Sequence, residues 1–293
     1  MVAVPNPTRA LPDEAARRRR RSPWLFARRV VAGVLEHQSP GTAAQIAYYL
    51  LFATFPLLLS LASLLAFLPI PHLMDWVLRL LGAIVPSAAV DLMRDHVERL
   101  VTRQHGGLFS IGVLVSVWAA ANAVESVMQG LNRVLGLREH RPFWKTRGIA
   151  ILLAVGVSLF AVLGLLALWF GAQVSHWWDV RGGLGPLPVE AWDVARWPLV
   201  LLFLIGAIDQ LYFIGPAARA RWRWITPGAV VAVLGWVAAS LGFSTYVRHF
   251  GSYNATYGSI GAVIILLTWM YLTAFFILLG AEINRVAAET RGA

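Results

Sequence analysis

The sequence contains no cysteine. That excludes a disulfide framework, a thiolate zinc site and an iron–sulfur cluster, and it says nothing about compartment. Charge is scarce too. Asp, Glu, Lys and Arg make up 14% of the 293 residues, against roughly a quarter in soluble domains. The seven histidines fall in segments read as tails or loops. No H-E-x-x-H, G-x-S-x-G, Walker A or glycine-rich dinucleotide pattern is present. His96 beside Asp95, and His140 beside Glu139, are single pairs with no third ligand nearby in sequence. From this inventory no catalytic centre, metal or cofactor is expected, and the chain reads as a non-enzyme.

What is abundant is apolar. Hydrophobic residues make up 58% of the chain, more than a soluble fold of this length can cover with a polar exterior. A bilayer removes that constraint. Thirteen Trp and seven Tyr suit a protein with two membrane–water interfaces. The expectation is an all-α polytopic membrane protein with six transmembrane helices and amphipathic interfacial helices. The spans are placed at about 42–68, 107–131, 148–172, 197–216, 226–247 and 258–281, each near the 20 residues needed to cross. The third is the most uniformly apolar and is expected to face lipid most. Residues 1–23 read as a disordered basic cytoplasmic tail, 24–285 as the membrane domain and 286–293 as a short cytoplasmic tail. Residues 24–37 have helical spacing, with Trp24, Val31, Val34 and Leu35 set against Arg28, Arg29 and Glu36, which suggests a helix lying in the interface.

The net charge of +10 raises nucleic acid as a partner, but the distribution answers it. Lys and Arg number 8 before the first span, 5, 3 and 2 in the alternate segments after it, and 4, 2 and 1 in the others. With the N-terminus inside, 18 basic residues are cytoplasmic and 7 are not. The positive-inside rule thus places both termini in the cytoplasm, and no nucleic-acid partner is expected. The partner is the bilayer, with anionic lipid drawn to the run Arg17–Arg21. Loop one (69–106) reads as two amphipathic helices, with Asp75/Arg79 and Asp95/Arg99 paired at i,i+4. Loop three (173–196) reads as irregular.

Five residues of span two carry the strongest candidate signal. Trp118, Asn122, Glu125, Gln129 and Asn132 follow one another at steps of 4, 3, 4 and 3, which places them on one helical face. An ionisable group inside a span is costly unless it faces the bundle interior or water. The face is therefore a polar pathway or a proton-sensitive site, or else hydrogen-bonding glue between helices. Asp209 and Gln210 join the candidate polar set from span four, with Asp209 expected to pair with an Arg such as Arg133 or Arg221. Gln45 and Tyr48 join it from span one, where Tyr49, Phe52 and Pro56 share their broad face. Pro56 is expected to kink that span. Glu282 sits at the inner end of span six, where an interfacial carboxylate is expected to cost little. Gly228, Ala232, Gly235, Ala239 and Gly242 form a small-residue seam for close helix packing. Tyr253–Ser259 is expected to join spans five and six.

An ordered set of short motifs then points to a family. Ala47–Pro56 (Ala-Tyr-Tyr-Leu-Leu-Phe-Ala-Thr-Phe-Pro) comes first. The Trp118…Asn132 face, Arg141-Pro142-Phe143, Leu211-Tyr212…Pro216 and Pro227-Gly228 come next. Tyr246…Tyr253…Tyr257-Gly258-Ser259-Ile260-Gly261, Trp269-Met270-Tyr271 and Gly280-Ala281-Glu282 close the set. In this set, over residues 28–285, the chain resembles the YihY/BrkB family of bacterial inner-membrane proteins. The resemblance implies a six-span protein built like a transporter. Some members have carried the label ribonuclease BN, but nothing in this sequence resembles a nuclease metal cluster. The expected function is a transporter or lipid translocator, with a non-transport envelope assembly or scaffold role as the alternative.

Overall fold

The computed structural model describes residues 23–67, 106–181, 187–218, 225–249 and 252–292. Among them every regular element is helical: α1 (Pro23–Glu36), α2 (Ser39–Phe67), α3 (Gly106–Val134), α4 (Phe143–Arg181), α5 (Leu187–Ile214), α6 (Pro227–His249) and α7 (Ser252–Gly292). Each of the six expected spans overlaps one of the helices α2 to α7. Among the described residues, four segments are long and apolar enough to cross a membrane: Phe143–Leu168, Arg196–Ile214, Pro227–Val247 and Ile260–Thr290. The first of these has the highest mean hydropathy, 2.8, and the smallest buried share, 17%. Its exposed Leu152, Val155, Leu159 and Val162 fit the lipid-facing expectation for span three.

The helix ends follow local chemistry. Pro23 and Pro227 open α1 and α6, where a missing N–H costs nothing. Gln38, at φ +51°, breaks the chain between α1 and α2. Gly136, at φ +64°, stops α3: Leu137 N–H donates to Asn132 C=O and Gly136 N–H to Arg133 C=O, the paired bonds of a Schellman terminus. Pro56 lies inside α2, which continues through it.

Adjacent helices pack in antiparallel pairs, α2 on α3, α4 on α5 and α6 on α7, with α7 also against α2. The shared core contains Ile46, Met128, Leu131, Leu153, Leu211 and Leu278. The small-residue seam works as expected at two points. A Cβ on Gly228 would meet the backbone of Gly280 on α7, and one on Gly235 would meet Phe276 at 2.5 Å. Gly242 faces open space.

Three expectations need correction. Loop three is mostly helix, because α4 runs to Arg181 and α5 starts at Leu187; a helix keeps its backbone bonds satisfied internally, which apolar surroundings require. Tyr253–Ser259 belongs to α7 rather than to a connector. Residues beyond 285 continue α7 through Gly292, since Val286 is fully buried against Val30 and Val34 of α1. α1 therefore docks on α7 through Val30, Gly33 and Val34, while Trp24, Val31 and Leu35 stay exposed. Residues 1–22 of the expected tail 1–23, and the loop-one helices, lie outside the described residues.

Candidate functional site

Among the described residues, charged and polar side chains with long-range partners concentrate at one end of the bundle. The C-terminal ends of α3, α5 and α7 meet there with the N-terminal ends of α2, α4 and α6. Four connected groups make up this polar pole.

The first group organises half of the α3 face around a residue not anticipated from sequence. Arg147, in the second turn of α4, is 4% exposed. Its guanidinium donates to Asn122 Oδ1 at 2.6 Å and to the Trp118 carbonyl at 2.8 Å. It reaches Glu125 Oε2 at 3.4 Å and lies 3.8 Å from the centre of the Trp118 ring. Glu125 thus faces a cation at the start of the next helix, and the pair is neutral. Arg147 Nε is buried without a hydrogen-bond partner. The Trp118 ring is 52% exposed, so the stacked pair forms the outer edge of the group. Five residues of α3 were expected to act as one face. Gln129 is exposed, and Asn132 belongs elsewhere.

Asn132 anchors the second group. It is buried, donates to Glu139 Oε2 at 3.0 Å and accepts from Ala217 N–H at 2.7 Å. Arg141 clasps Glu139 with Nε at 2.7 Å and a terminal nitrogen at 2.8 Å, and also donates to Gly215 C=O. The Arg141 guanidinium holds the Glu139 carboxyl down at about 2. This loop-borne pair ties the end of α3 to the end of α5.

Asp209 centres the third group, and among the described residues no arginine pairs with it. Arg133 instead donates to Thr42, and Arg221 lies outside the described residues. Asp209 is 4% exposed. It accepts from Thr226 Oγ1 at 2.5 Å and from Thr226 N–H at 3.2 Å. Thr226 in turn caps α6 by accepting from Ala229 N–H, and Asn284 of α7 donates to Thr226 Oγ1. The physical reason is local: an orphan N-terminal N–H and a hydroxyl lie nearer to this carboxylate than any described base. The neighbouring Gln210 points the other way and donates to Leu153 C=O on α4 at 3.3 Å, as interhelical glue.

Glu282 forms the fourth group. Far from being a rim carboxylate, it is fully buried, because α1 folds back over it. His37 Nδ1 lies 2.5 Å from Oε1 and Arg285 Nε 3.0 Å from Oε2. Gly33 of α1 passes so close that a Cβ there would meet the side chains of Glu282 and Arg285. His37 and Arg285 are therefore members of the site that the spacing of apolar residues did not reveal. Gln45 and Tyr48 remain on an exposed face of α2 with Phe52, whose ring centre lies 4.6 Å from that of Tyr48. No described contact joins that face to the polar pole.

Between the third and fourth groups lies a cavity of about 370 Å³. Asp209, Thr226, Asn284 and Arg285 give it one polar edge, and Leu131, Leu135, Phe213 and Ala288 contribute to its apolar wall. A mostly apolar pocket with a few convergent polar groups is the usual form of a ligand site. No cluster of three or more His, Asp or Glu able to hold a metal ion occurs among the described residues.

Comparison with known proteins agrees with this picture at family level. Residues 30–293 match the family model described as virulence factor BrkB. The chain is similar to a ribonuclease-like protein, YfkH, of Bacillus subtilis (strain 168), with 34% identity covering 85% of this chain and 90% of the relative. It is similar to a UPF0761 membrane protein of Tolumonas auensis, with 29% identity covering 93% and 87%. A UPF0761 membrane protein of Chromohalobacter salexigens is 30% identical over 88% of this chain and 62% of its own length. No solved structure matches the chain.

Proposed function

The chain belongs to the BrkB family of membrane proteins, and from that premise we propose that it is a six-span inner-membrane translocator of lipid or another amphipathic solute, with both termini in the cytoplasm. The observation that carries this reading is the cavity at the polar pole, which joins an apolar wall to a polar edge. An amphiphile needs both surfaces at once. Helix lengths support the number of crossings: α2 and α3 have 29 residues each, about 43 Å at 1.5 Å per residue, against a hydrocarbon core of roughly 30 Å. The distribution of basic residues supports the orientation, because the polar pole gathers the segments with more Arg. On this reading the protein is not an enzyme and needs no cofactor, and the bilayer is its main partner.

The test is flux. Purified protein in liposomes with headgroup-labelled fluorescent lipid should expose inner-leaflet label to an impermeant quencher faster than empty vesicles do. Asp209→Asn should slow it several-fold. Protein-containing vesicles that behave like empty ones with lipid and with soluble amphiphiles would refute translocation.

One observation favours a second reading, a scaffold for envelope assembly. The α3 polar residues Asn122, Glu125 and Asn132 are all bound internally, as packing groups would be. Affinity capture that returns only the protein itself would count against it.

A further inference from the structure

The cavity carries a charge imbalance that its described residues do not remove. Asp209 lines it, and among the described residues both carboxylate oxygens accept only from Thr226. No base forms an ion pair with it among the described residues. The N-terminus of α6 supplies a partial positive charge. Arg285 also lines the cavity, but acids already hold it: Nε bonds Glu282 at 3.0 Å and a terminal nitrogen bonds Glu289 at 2.6 Å. Among the described residues, the one base lining the cavity is thus held by two acids outside the lining, and Asp209 has no base. His37 adds a positive charge only when protonated, and it contacts Glu282, not Asp209.

A buried carboxylate beside apolar walls is costly unless a positive group meets it. A small metal ion would want several oxygen ligands in place of its water and would leave the apolar wall unmatched. An alkylammonium answers both demands. Its head can donate to the carboxylate, and its chain can cover Leu131, Leu135 and Phe213.

We propose that the cavity binds amphiphiles with an ammonium head, which sits at Asp209 between Thr226 and Asn284. An aminophospholipid headgroup is one source of that chemistry and a free alkylamine is the other. The inference builds on the cavity as the translocation site and adds the head-group class.

The experiment is thermal unfolding of the purified full-length protein in maltoside detergent. The probes are decylammonium, decyl sulfate, dihexanoyl phosphatidylethanolamine and dihexanoyl phosphatidylglycerol at matched concentrations. Decylammonium should raise the midpoint by several degrees relative to decyl sulfate. Asp209→Asn should abolish the difference. Ala288→Leu, which narrows the cavity and keeps the acid, should raise the half-saturating concentration at least tenfold, and it carries the test if Asp209→Asn does not fold. A matching rise with the ethanolamine lipid over the glycerol lipid identifies lipid as the source; a rise with decylammonium alone identifies the free amine. Equal shifts for ammonium and sulfate, or a preference unchanged in either variant, overturn the proposal. Lipid flux failing while this preference holds counts against translocation only. Flux without head-group preference counts against the present inference only.

Discussion

At the scale of single residues, Arg147 decides what the α3 face is. Spacing alone placed Trp118, Asn122 and Glu125 together, and the structure keeps them together. It could not supply Arg147, which lies 22 residues beyond Glu125 and was counted as a loop base. Glu282 was misjudged for the same reason: its partner His37 lies 245 residues away, and no local pattern reports a contact of that range. The Arg147–Glu125 pair is the place to measure. Removing one partner of a buried pair costs about 3–5 kcal/mol. Glu125 is 22% exposed, so Arg147→Met should cost less, about 2–3 kcal/mol. The double variant with Glu125→Gln should be less destabilised than the two single effects together, as read in a thermal double-mutant cycle. Strict additivity would mean that the two charges do not interact. Glu139 gives a pH signature. Its carboxyl titrates at about 2 in the fold and near 4.5 otherwise. A depressed acid contributes stability above its unfolded value and loses it as pH falls through the folded one. Glu139→Gln should therefore lower the unfolding midpoint at pH 7, and the gap to the parent should close as pH drops from about 4.5 towards 2. A gap that stays constant over that range would rule out the ion pair as its source.

At the scale of helices, the apolar runs made the elements legible and left their ends obscure. A run of apolar residues shows where a helix must lie in lipid, but not how far it continues once charge returns. α7 illustrates this. It keeps going past Glu282 because Val286 finds a dry contact on α1, and that contact depends on a helix at the other end of the chain. The glycine seam was legible because small residues at helical spacing have a direct steric meaning. At Gly228 the opposing atom is backbone, so neither helix can yield by turning a side chain. Gly228→Val should then cost about 3 kcal/mol, the upper part of the range for overpacking, while Gly242→Val should be tolerated because nothing lies within 4 Å. Unfolding midpoints of the two variants check the contrast, and equal losses would show that the α6–α7 contact is looser than described. Gly136→Ala tests the helix stop. A non-glycine residue at φ +64° costs about 1 kcal/mol, and Gly136→Asn should recover part of it, because Asn tolerates that conformation better.

At the scale of the whole molecule, membrane character was legible from composition, since scarcity of charge and abundance of apolar surface leave few alternatives. The gathering of polar groups at one pole was not, because it arises from antiparallel pairing of helices whose ends are far apart in sequence. That gathering now bears on topology. If α2 to α7 each cross once, the Arg138 loop and the end of α7 share a side, and the segment between α4 and α5 lies on the other. The absence of cysteine makes the measurement direct, since every introduced thiol is the sole one. Single cysteines at Arg138 and Ala293 should resist an impermeant maleimide in intact spheroplasts and react after lysis. A cysteine at Gly183 should react in both. Basic residues favour this arrangement, because the loops predicted inside hold most of the Arg and short basic loops resist export. Labelling of Arg138→Cys from outside would invert the bundle. Arg138→Cys protected with Gly183→Cys also protected would mean that α4 turns back without crossing, and the count of six would fall with it.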